Sequence, residues 1–168
     1  MTVWEQERAL ARTTMGWGLG SMAAGLVLGA ARRRSAWWRA FGLQHAGWGA
    51  VDLLIALLAG RLQDRRMRRH PDPYAAAALE AERAKLFRVL WINVLADAGY
   101  VGLGTALTRH RRPRAAGAGA AMAIQGAFLL LHDAHYAWRT RPGRDGPGLP
   151  SRSRRVENGC PFDLEEAP

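Results

Sequence analysis

Apolar residues in this chain gather into long runs, and arginines crowd between them. The runs fall at about residues 13–31, 40–60, 89–107 and 115–138. Each is near the ~20 residues a helix needs to cross ~30 Å of hydrocarbon. Glycine, which argues against helix in water, is common in membrane helices. The pattern predicts an all-α fold, an integral membrane four-helix bundle over residues 1–139.

The connections add detail. Between the second and third runs, "RLQDRRMRRH" is a basic stretch and "PDPYAAAALEAERAKLF" begins a helix. Asp72 is the expected N-cap and Pro73 the expected first helical residue. That helix is expected to run unbroken into the third span as a cytoplasmic extension. Residues 140–168 are rich in Pro, Gly, Ser and charge, and a disordered tail is expected there.

Composition alone points elsewhere. Mean hydropathy is -0.18, as in a soluble protein, and 24 Lys+Arg against 14 Asp+Glu give a formal net charge of +10. The average misleads because the charges are segregated. The arginines flank spans of bilayer length, which reads as a topology signal and a contact with anionic lipid headgroups rather than with nucleic acid. The bilayer is then the first partner, through Arg-rich loops. The single cysteine, Cys160, excludes an internal disulfide and any multi-cysteine metal site.

The first run ends in "GAA" before Arg32, small residues of the kind found at leader cleavage sites, but Glu5 and Glu7 precede it and Arg32, Arg33 and Arg34 follow at once. A retained span is the better reading. Trp37, Trp38, Trp91 and Trp138 fall at span ends, where tryptophan anchors to the interface. Small residues recur every four positions at Gly16, Gly20 and Ala24 and at Gly42, Ala46 and Ala50, stripes that let helix backbones approach.

An even number of spans puts both termini on one side. Basic residues on that side outnumber Arg32, Arg33, Arg34, Arg39, Arg109, Arg111, Arg112 and Arg114 on the other. The positive-inside rule therefore expects an inner (cytoplasmic) membrane protein with cytoplasmic termini.

Within the spans, ionisable residues are the exception to explain. A charge at the bilayer centre costs about 2.5–3.5 kcal/mol even on the lenient insertion scale. The second span nevertheless carries Gln44, His45 and Asp52, the third Asn93, Asp97 and Tyr100, and the fourth Gln125, His132, Asp133 and Tyr136. Gln44, Trp48 and Asp52 repeat every four residues. Asn93, Asp97 and Tyr100 share one helix face, as do Gln125, Leu129, His132, Asp133 and Tyr136. Such stripes must meet one another to avoid lipid, with Trp17 and Ser21 as the matching stripe of the first span. By helical rise, Asp52, Asp97 and Gln125 fall near the midplane, Asn93 and His132–Asp133 toward the termini, and His45 toward the other side. His135 is close enough to the interface to be only an anchor.

Four readings of this constellation stand open. One is a hydrogen-bonded structural network, a scaffold. Another is a small-ligand site lined by Gln44, His45, Asp52, Asn93, Asp97, Tyr100, Gln125, Asp133 and Tyr136. A metal site of Asp52, Asp97, His132 and Asp133 lacks any ligand motif of fixed spacing, so no metal is assigned. Proton-coupled transport would call for a homo-oligomer, since four helices are few. There is no phosphate-binding glycine loop, no HExxH and no GxSxG, and the cofactor stays undetermined. Ligand binding or scaffolding is therefore preferred. The alternative is a membrane-embedded enzyme acting on a lipid or isoprenoid-like substrate, with Asp97 or Asp133 as acid or base and His132 as proton partner. Such an enzyme needs an opening from the bilayer, expected near Gly47 and Gly99.

The segments "GLQHAGWGAVDLLIALLAG", "INVLADAGYVGLG" and "IQGAFLLLHDAHY" resemble an uncharacterised family of bacterial four-span membrane proteins. The resemblance places Trp48, Asp52, Asn93, Asp97, Tyr100, Gln125, Gly126 and Asp133 at the family's patterned positions. Asp52 departs from it, standing where an amide is expected. The resemblance covers the spans, and it implies a fold and no activity.

Overall fold

A computed structural model of the chain describes residues 1–141. The tail expected to be disordered, with Cys160, lies outside the described residues. Four helices follow one another: α1 Val3–Ala31, α2 Ala36–Arg69, α3 Ala76–Thr108 and α4 Pro113–Arg139. All four are long and apolar enough to cross a membrane, and there is no strand among the described residues. Large apolar side chains cover the outside, Leu43, Leu95 and Leu131 each being more than two-thirds exposed at 71%, 71% and 73%. Water would not tolerate that surface; lipid does. The molecule is an integral membrane four-helix bundle.

All four helices are longer than the hydrocarbon is thick, and two outgrow it most. With 34 and 33 residues, α2 and α3 are each about 50 Å long against ~30 Å of hydrocarbon. The extension of α3 was expected. That of α2 was not: "RLQDRRMRR" continues the helix to Arg69. The start of α3 also differs from expectation. Asp72 accepts from the Tyr74 backbone N–H at 2.9 Å, and Ala75 is the N-cap with no side-chain bond. Asp72 closes a turn rather than capping the helix, and α3 begins at Ala76.

The helices pair as α1 with α2 and α3 with α4, joined through α2 against α4, with only slight contact between α1 and α3. Glycine sets the closeness of α1 and α2. A Cβ on Gly18 would lie 2.7 Å from the Gly49 carbonyl oxygen, and one on Gly25 would lie 2.6 Å from the Ala46 nitrogen. Only a residue without a side chain permits this approach. The packed face therefore runs through Gly18, Ser21 and Gly25, all buried. The expected stripe of Gly16, Gly20 and Ala24 turns outward, with open space at both glycines. On α2, Gly42 and Gly49 pack while Ala50 is exposed.

The apolar core sits at one end, not in the middle. Val3, Trp4, Leu86, Leu90 and Ala137 form one buried cluster, flanked by Leu10, Met67, Leu79 and Tyr136. This is the end where α1 starts, α2 and α4 finish and α3 enters. The placement follows from solvent: burial of apolar surface drives association in water, whereas lipid tails are as apolar as leucine. A polar clasp locks the plug. The Trp4 indole N–H donates to the Pro73 carbonyl at 2.8 Å, and the Gln63 amide donates to the Trp4 carbonyl at 2.6 Å. Arg66 pairs with Glu7 at 2.7 Å and lies 3.3 Å from Glu82.

Candidate functional site

In the membrane interior, packing energy comes from close contact and polar bonds. Ser21 on α1, Gln125 on α4 and Asp52 on α2 form a chain. The Ser21 hydroxyl donates to the Gln125 amide oxygen at 3.4 Å, and the Gln125 amide nitrogen donates to Asp52 Oδ2. All three are nearly inaccessible, at 3%, 2% and 2% exposure. One amide thus uses both of its ends to tie three helices together. Gly126, buried next to it, lets α4 lie on α3 at Asp97 and Tyr100.

Asp133 and His132 make a second pair, with His132 Nδ1 2.9 Å from Asp133 Oδ1. Both are buried, as is Asp97 on α3. Asp97 lies within electrostatic reach of Asp52, Asp133 and His132. The aspartates on α2, α3 and α4 therefore share one interior region. Their partners differ sharply. Asp52 has Gln125 and Asp133 has His132, whereas Asp97 Oδ2 is buried without a hydrogen-bond partner. His132 Nε2 is buried and unpartnered as well.

An aromatic ladder runs beside this region. Trp37 stacks on Phe41 and Phe41 on His45 along α2. His45 meets the edge of Trp17 on α1, which stacks on Phe128 of α4 with centroids 3.8 Å apart. Phe128 continues to His132 and His132 to Tyr136. Trp17 Nε1 and His45 Nδ1 are also buried without partners. The expected stripe of α1 is therefore present, Ser21 as a hydrogen-bond donor and Trp17 as a ring.

The remaining candidates divide. His45 is buried, while Gln44, Tyr100 and Tyr136 are half-buried. Trp48 meets the edge of Tyr100 and so links α2 to α3. Asn93 is exposed, although it shares a helix face with buried Asp97. It lines a recess of about 230 Å³ between α2 and α3, with Ile55, Ala59, Leu86 and Val89, under Arg66 and Lys85, and Glu7 and Leu10 of α1 share the lining. Nothing stands within 4 Å of a Cβ at Gly47 or Gly99, and neither lines that recess. His135 is exposed, as an anchor would be. The clasp of Gln63, Glu7, Arg66 and Glu82 escaped the sequence reading, because nothing in a basic run marks which arginine turns inward. Among the described residues, no three His, Cys, Asp or Glu side chains gather closely enough to hold a metal ion.

No curated protein and no solved structure matches the chain. A family profile does, over residues 13–134, from the first span into the fourth. That stretch holds the Ser21–Gln125–Asp52 chain, Asp97 and the His132–Asp133 pair, and the chain therefore belongs to a family of unknown function, DUF6992.

Proposed function

We propose that the polar centre binds a small, positively charged hydrogen-bond donor of the ammonium class, and that the bundle is a binding scaffold rather than an enzyme. The observation that carries this reading is the Asp97 carboxylate, buried at 5% exposure with one oxygen unpartnered. A buried polar atom without a partner costs about 1–3 kcal/mol, and more when charged. A bound donor removes that cost. Charge supports the sign of the ligand, since three carboxyl side chains, Asp52, Asp97 and Asp133, share this region with no Lys or Arg in its spans. The rings of Trp17 and Phe128 add aromatic faces, which attract cations. The enzyme reading needs a lipid-like substrate to reach the carboxylates. The recess between α2 and α3 ends at Asn93, one helical turn short of Asp97, which favours a small ligand.

Orientation belongs to the same proposal. An inner-membrane location with cytoplasmic termini is supported by the excess of Lys and Arg on the terminus side.

The test uses Trp17 as reporter. Protein in neutral detergent is titrated with methylammonium chloride and, separately, with sodium chloride at equal ionic strength. A saturable change in tryptophan fluorescence with methylammonium, lost in Asp97→Asn at unchanged helicity, is expected. A wild-type response identical for both salts would overturn the reading.

A further inference from the structure

The second feature lies on the opposite side of the membrane from the plug. Where α1 and α2 cross at Gly25, Gly29 and Gly42, missing side chains leave a groove of about 330 Å³ on the outer face of the bundle. Its walls are Leu26 and Leu43, exposed at 60% and 71%. Its lip holds Arg33 and Arg39. Directly beyond, Arg32, Arg33, Arg34, Ser35 and Trp38 line a shallow polar bowl of about 570 Å³. Arg33 belongs to both, so groove and bowl are continuous. The guanidinium of Arg32 is held 5.7 Å above the Trp38 ring, which fixes one wall of the bowl at interfacial depth.

Charge decides what fits. No Asp or Glu occurs between Glu7 and Asp52, nor between Asp97 and Asp133. The arginines at this end therefore have no carboxylate in their own loops or in the adjoining halves of the spans. The start of α2 lies in the bowl as well, adding the positive end of a 34-residue helix. An apolar groove opening into a cationic bowl at the interface is complementary to an amphiphile with an apolar chain and an anionic head. A soluble anion would leave the groove empty, and a zwitterionic lipid would set its own cation against the arginines.

The geometry points to a specific site for one anionic phospholipid, in the leaflet away from the termini. An acyl chain lies in the groove over Gly29 and Ala30, and the phosphate sits between Arg33 and Arg39. Guanidinium groups suit this role because they bind phosphate oxygens through paired N–H donors. The site is separate from the polar centre and does not depend on how that centre functions.

Native mass spectrometry of the whole chain, released from neutral detergent, tests it with phosphatidylglycerol and phosphatidylcholine as competing probes. The expected result is one retained phosphatidylglycerol per chain and at least tenfold preference over phosphatidylcholine. Arg33→Gln with Arg39→Gln should lower phosphatidylglycerol affinity at least tenfold. Ala30→Trp, which keeps every arginine and fills the groove, should lower it as much. Arg111→Gln with Arg112→Gln removes the same charge from the α3–α4 connection and should leave affinity unchanged. All variants are checked for wild-type helicity and elution volume. An equal loss in the Arg111/Arg112 variant, or no loss in Ala30→Trp, would show diffuse attraction and overturn the site. Displacement by millimolar inorganic phosphate, or a dimer that excludes lipid from the groove, would overturn it too.

Discussion

Gln125 donates its side-chain amide to Asp52 from 73 positions away in sequence, and the bond joins α4 to α2 across the centre of the bundle. Since Ser21 occupies the other end of the same amide, Gln125 is the one side chain that touches three helices through polar atoms in this region.

Replacing Gln125 by leucine keeps the volume and strips Asp52 of its partner. The expected loss is about 1–3 kcal/mol, the cost of leaving a buried polar group without its partner. Ser21→Ala should cost only about 0.5–1.5 kcal/mol, because the amide keeps its bond to Asp52. Denaturant or thermal unfolding in a mild detergent measures both, and equal losses would contradict the chain of bonds described above.

The glycines sort into two groups that chemistry alone does not distinguish. Gly25→Val drives a side chain into the α2 backbone and should separate the α1–α2 pair, with loss of a monodisperse elution peak. Gly16→Ala and Gly20→Ala place a methyl in open space and should be neutral or stabilising by up to about 1 kcal/mol. Melting temperatures of the three variants side by side check this ranking.

That ranking shows what the sequence could and could not reveal. The spans were legible because a nearly charge-free run of bilayer length has few other uses. Which small residues face a neighbour was not, because Gly16 and Gly18 carry the same composition and differ only in helix azimuth. The continuation of α2 through "RLQDRRMRR" was hidden for a similar reason: Gln63, Arg66 and Met67 turn inward at a spacing that an arginine-rich run conceals. Among the polar residues, helical spacing placed Asp52, Asp97, Gln125 and Asp133 in the interior. It did not reveal that Asn93 is exposed, because α2 and α3 pack only sparsely and leave a recess between them at that depth. That Gln125 pairs with Asp52 is a fact of register between helices and could not be read from either one alone, whereas the His132–Asp133 contact joins sequence neighbours within α4.

Trp4→Ala should cost about 3–5 kcal/mol, the range for emptying a buried aromatic site. It should also free the connection at Pro73, where the indole bond is made. Limited trypsin digestion would then cut at Arg68 or Arg69 faster than in wild type. Unchanged cleavage would mean that the connection is held by other contacts.

Topology gives the last prediction. In a variant with Cys160→Ser, a cysteine at Ser35 and one at Tyr74 should react with an impermeant maleimide from opposite sides of the membrane. With cytoplasmic termini, Tyr74→Cys is labelled only after the cells are opened.

The buried plug has a bearing on how the chain is made. Val3 and Trp4 leave the ribosome long before Leu86, Leu90 and Ala137, the residues they are buried against. Until the last helix is inserted, that early segment can meet Gln63, Pro73, Leu86 and Leu90 but lacks the cover of Ala137. Closure of the plug is therefore a late event that reports completion of all four crossings, and a chain arrested before Ala137 would display an open, sticky end to the quality-control machinery.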